Sequence, residues 1–95
     1  MTSKERAYLR KQANGIDTIF QVGKNGIDAA LITGIGEALK TRELIKLRVQ
    51  DSSEYSAREA ADIVSEKLGA QTVQVIGSRF VLYKRNKDIA RYGVK

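Results

Sequence analysis

TIFQVGKNGIDAALITGIGEAL, residues 18–39, decides the architecture of this chain, because its Asn25-Gly26 pair has two readings. Asn-Gly between apolar runs is a strong short-range signal for a two-residue β-hairpin turn. The flanking residues count against that reading. Thr18-Ile19-Phe20-Gln21-Val22 is short and β-branched, hence a strand. Beyond the pair, Ile27, Ala30, Leu31, Ile35, Ala38 and Leu39 recur at helical spacing, not at the period of two that a returning strand needs. The stretch is therefore strand, glycine corner, helix. Gly34 and Gly36 each cost that helix roughly 1 kcal/mol relative to alanine. They are expected to permit close packing on the sheet.

Downstream, Leu44 to Gln50 alternates: Ile45, Leu47 and Val49 on one side, Lys46, Arg48 and Gln50 on the other. This is a half-buried strand with one wet, basic face. Ser56-Ala57-Arg58-Glu59 is a capping box, and Ala57, Ala60, Ala61, Val64 and Leu68 form the apolar stripe of a helix that Gly69 ends. Thr72–Ile76 and Arg79–Tyr83 are strands joined by Gly77-Ser78, which suits a type II′ hairpin. Upstream, Thr2-Ser3-Lys4-Glu5 is another capping box, opening a helix that runs to about Ala13. The order is α-β-α-β-α-β-β in one α/β (α+β) domain over residues 1–95, with a four-stranded mixed sheet and a flexible polar tail from about residue 86.

Composition narrows the function. Seventeen Lys+Arg against eleven Asp+Glu give +6 and a pI near 9.8, a balance that points to a polyanionic partner, nucleic acid first and an anionic membrane second, against the alternative of plain solubility charge. There is no cysteine and no histidine, which removes disulfides, thiol nucleophiles, the commonest general base and the commonest zinc ligand. Glu59, Asp62 and Glu66 share a helix, but one helix supplies too few oxygens to close a cation site, so they read as a solvated acidic face. No cofactor, metal or small-molecule substrate is expected. No apolar leader opens the sequence and no run is long enough to span a membrane. A cytoplasmic monomer is the expectation.

Gly23-Lys24-Asn25-Gly26 is a G-x-x-G. Glycines let a nucleic-acid backbone approach the main chain, Lys24 adds a charge, and a helix N-terminus attracts phosphate. KH modules clamp single-stranded backbone with such a loop. The pattern alone is common, and glycines at a strand-to-helix corner are more often plain turn geometry. The internal lysine, the net charge and the lack of a P-loop or dinucleotide fingerprint shift the balance toward a binding loop for a nucleic-acid backbone.

With those residues in view, IFQVGKNGIDAAL, RELIKLRV and VQVIGSRFVLYKR together resemble the signature blocks of the CRM domain (chloroplast RNA splicing and ribosome maturation), whose stand-alone form is the YhbY-like family. The resemblance covers nearly the whole chain. It implies a fold similar to the C-terminal domain of translation initiation factor three. It implies RNA binding through Gly23, Lys24, Asn25 and Gly26, and association with ribosomal RNA or precursors of the large ribosomal subunit. Arg79, Lys84 and Arg85 are the basic members of the last hairpin.

Arg10 and Lys11, with Lys4 and Arg6, are candidates to extend a phosphate track, against the alternative of a solvated helix face. Phe20 and Phe80 read as core, and Tyr83 as core with its hydroxyl at the rim. With so few aromatics, backbone recognition is expected to dominate over base readout. The function expected is a non-catalytic RNA-binding protein in ribosome assembly. The rival is a structural or interaction protein, either a constitutive ribosomal component or an adaptor for an acidic protein.

Overall fold

The computed structural model describes residues 1–94. Helix α1 (Ser3–Ala13), strand β1 (Thr18–Val22), helix α2 (Ala29–Arg42), strand β2 (Leu44–Val49), helix α3 (Ala57–Leu68), and strands β3 (Gln71–Ile76) and β4 (Arg79–Tyr83) follow in the expected order. The sheet order is β1-β2-β4-β3, with β1 and β2 parallel and the other two pairs antiparallel. Parallel neighbours need a crossover, and α2 supplies the one between β1 and β2. The β3–β4 pair closes through Gly77-Ser78, with Ile76 opposite Arg79. Positive φ falls on Gly77 alone, as a type II′ turn requires.

Alternation along the strands builds two cores. Phe20, Val22, Ile45, Leu47, Val49, Phe80 and Leu82 face α2 and α3. Leu44, Val73, Val81 and Tyr83 face the other way, where Leu9 and Ala13 of α1 cover them. The glycines of α2 have separate tasks. A Cβ on Gly34 would lie 3.2 Å from the Phe20 ring, and one on Gly36 would lie 3.3 Å from a Leu68 methyl. One lets the helix approach β1, the other α3.

Both capping boxes form, Thr2 with Glu5 and Ser56 with Glu59, and Gly69 ends α3 in the left-handed region. Helix α2 ends differently. Glu43 adopts φ 62° and is completely buried. Its carboxylate accepts the Asn86 N–H at 2.9 Å and the Arg91 N–H at 2.5 Å. The Tyr83 hydroxyl donates to the Val94 carbonyl at 2.9 Å, and Tyr92 meets the Tyr83 ring edge-on. The tail, expected to be loose from about residue 86, is thus bonded back to the domain as far as Val94. Tyr83 is core as expected, but its hydroxyl is buried against that tail and not at the rim. Burial, and next the Glu43 charge, push the Tyr83 phenol above its ordinary pKa.

Candidate nucleic-acid interface

Chain direction gathers one end of the sheet. β1 and β2 stop there, β3 arrives there, and β4 starts there. Gly23–Gly26 follows β1 at this end. It is itself a β-turn: the Gly26 N–H donates to the Gly23 carbonyl at 3.0 Å. Lys24 and Asn25 hold the two central positions with negative φ, and the left-handed conformation falls on Gly26, at φ 72°. Lys24 and Asn25 are exposed. Their N–H groups make no hydrogen bond among the described residues, so they are free donors at an exposed tip.

The turn does not open directly into the helix. Ile27 and Asp28 intervene, and Asp28 caps α2, its carboxylate accepting the Leu31 N–H at 2.8 Å. The expectation that loop and helix N-terminus act together on a phosphate needs correction, since a carboxylate already occupies that N-terminus. The cap was legible, because Asp before an apolar periodic run is a start signal.

An open groove of about 830 Å³ runs beside the turn, lined by Gly23, Lys24, Asn25, Gln21, Gln50 and Ser52 among others. A side chain at Gly23 would push the end of the exposed Gln50 side chain aside, its Cβ only 2.6 Å from the Gln50 Oε1. Gln50 in turn donates through Nε2 to the Gln21 Oε1. Neither glutamine was singled out as a site residue, although both stand at outward positions of alternating strands.

The other cations divide. Arg79 is exposed at the start of β4, at the turn end. Lys84 and Arg85 follow the opposite end of β4, roughly 17 Å from Arg79 at about 3.4 Å per residue. Lys84 donates its Nζ to the Leu68 carbonyl at 2.7 Å, closing the C-terminus of α3. Arg10 and Lys11 are exposed in the last turn of α1, which leads to the start of β1 and not to its turn end. Arg6 is spent internally, its guanidinium on the Thr72 and Val73 carbonyls at 2.5 and 3.1 Å. The structure therefore joins Gly23, Lys24, Asn25, Gly26 and Arg79 at one end of the sheet. It sets Lys84 and Arg85 at the other. Among the described residues no group of acids could hold a metal ion, and no helix is long and apolar enough to cross a membrane.

Fold and site together define a class: a small α+β domain presenting a glycine turn and uncommitted cations at one end of a mixed sheet. The chain belongs to the CRS1/YhbY (CRM) domain family, whose model matches residues 1–84. "Probable RNA-binding protein YqeI" of Bacillus subtilis is 40% identical over 88 residues, covering 93% of this chain and 92% of that protein. The chloroplastic CRM-domain containing factor CFM2 of Arabidopsis thaliana is 30% identical over 64 residues, covering 67% of this chain and 6% of that protein. The solution structure of the hypothetical protein SAV1595 from Staphylococcus aureus superposes with a TM-score of 0.73 at 42% identity, covering 92% of this chain and 91% of that one.

Proposed function

We propose that this chain is a non-catalytic, cytoplasmic RNA-binding protein that grips the ribose-phosphate backbone at the turn end of its sheet. The observation that carries this reading is the Gly23–Gly26 turn, an exposed tip with two uncommitted N–H donors and an ammonium group beside an open groove. Donors of that kind suit phosphate oxygens. Relatives named as RNA-binding proteins, in Bacillus subtilis and in Haemophilus influenzae, support the same partner. Its target in this reading is ribosomal RNA in precursors of the large ribosomal subunit, engaged as a monomer. Asp28 lines the groove on the helix side, so the phosphates track along the Lys24 side of the turn.

The test is the double variant Lys24→Asp with Asn25→Asp, measured by filter binding to ribosomal RNA. Both positions are exposed, so the melting temperature should hold while affinity falls at least tenfold. Unchanged affinity defeats the loop assignment. Sedimentation of cell extract tests the biological role: the protein should travel with precursor large subunits and be absent from finished ribosomes. Presence in finished ribosomes favours a constitutive component.

A further inference from the structure

The face of the sheet that carries α1 is only half covered. Helix α1 packs over Leu44, Val73, Val81 and Tyr83, at the end away from the turn. The other half is open. There Gln21 stands beside Arg48, Arg48 opposite Arg79, and Arg79 opposite Ile76, one row across all four strands. All four residues are exposed, Ile76 to 61%. The Val49 N–H donates to the Ser78 carbonyl at 2.7 Å. One step along, Arg48 and Arg79 are therefore a non-hydrogen-bonded pair, the type that brings side chains closest. Like charges directly opposite each other destabilise a sheet. No strand contains an acidic residue, and neither guanidinium makes a hydrogen bond or ion pair among the described residues. Half-buried Lys46, on the same face, adds a third positive charge.

We propose that Arg48 and Arg79 share one phosphate of the bound RNA, so that the strand held at the glycine turn continues onto the open half of the α1 face. The route is continuous. Gln50 lines the groove by the turn, bonds to Gln21, and Gln21 neighbours Arg48. A phosphate between two guanidinium forks gains charge-assisted hydrogen bonds and cancels their repulsion. Ile76, at the end of the row, offers an apolar surface to a ribose or base. This inference rests on the RNA-binding reading and adds a second contact surface to it.

The experiment compares Arg48→Gln, Arg79→Gln and the double variant with the parent and with the Lys24→Asp, Asn25→Asp variant, by filter binding to ribosomal RNA across a salt series. Each single change should weaken binding about tenfold, as for loss of a charge-assisted hydrogen bond. The double variant should flatten the plot of log affinity against log salt by about 0.7, the value for one phosphate on single-stranded RNA, and not by about 1.4. Without RNA, at low salt, each single variant should melt about 1–4 °C above the parent through relieved repulsion. A slope change worth two phosphates, or no change in affinity while the turn variant fails to bind, overturns the shared site and leaves the RNA reading standing. If the turn variant and the arginine variants all bind like the parent, both fall.

Discussion

Where β2 begins, Glu43 takes the Asn86 and Arg91 N–H groups, Tyr83 takes the Val94 carbonyl and Lys84 closes α3 on the Leu68 carbonyl. Where β2 ends, Lys24, Arg48 and Arg79 are exposed and their side chains have no partner among the described residues. The same sheet thus has one end where Glu43, Tyr83 and Lys84 are committed internally and another where Lys24, Arg48 and Arg79 are uncommitted. Buried polar groups must be satisfied, whereas exposed cations are not so constrained. The closed end is the candidate for stability and the open end for binding, and variants should separate the two.

The largest expected effect is at the closed end. Glu43→Ala removes a buried carboxylate that accepts two part-buried N–H groups and should cost roughly 2–4 kcal/mol of stability, read from urea unfolding. At a temperature where the variant stays folded, RNA affinity should match the parent. A comparable loss of affinity in the folded protein would show that the two ends are coupled.

Glu43 also marks what the sequence conceals. The element order, both capping boxes and the G-x-x-G corner were legible, because spacing, caps and glycines act over a few residues. So was the wet side of β2, where Arg48 is exposed and Lys46 half-buried. Glu43 gave no such signal, since its partners lie more than forty residues away. The tail read as loose for the same reason: its polar residues satisfy the rule for a frayed end until a buried carboxylate gathers their N–H groups. Lys84 and Arg85 joined the candidate site because they belong to the same hairpin as Arg79. Strand length then carries them to the opposite end, which only the direction of β4 relative to β1 reveals.

A smaller pair of effects sharpens the division between two lysines. Lys24→Gln should flatten the salt dependence of RNA binding by about 0.7 and leave the melting temperature alone. Lys84→Gln should do the reverse. It removes a cation from the C-terminus of α3 and should cost about 0.3–1 kcal/mol, with the salt slope unchanged. An altered salt slope for Lys84→Gln would return the far end of β4 to the RNA surface.

The smallest effect lies at the N-terminus of α3, which starts at the open end of the sheet. Hydrogen bonds from Ser56, its backbone N–H first and its side chain next, hold the Glu59 carboxyl below its ordinary value of 4.5. A carboxyl whose pKa is lowered by folding contributes stability that is fully present above its unfolded pKa and is lost as pH falls through the folded one. Glu59→Gln should therefore unfold at slightly lower urea than the parent near neutral pH. The gap should close as the solution is acidified through and below the ordinary carboxylate range. RNA affinity at neutral pH should rise slightly or hold, because the change removes a negative charge from the open end and no phosphate ligand. A marked loss of affinity would mean that this capping box, and not only the glycine turn, shapes the surface that meets RNA.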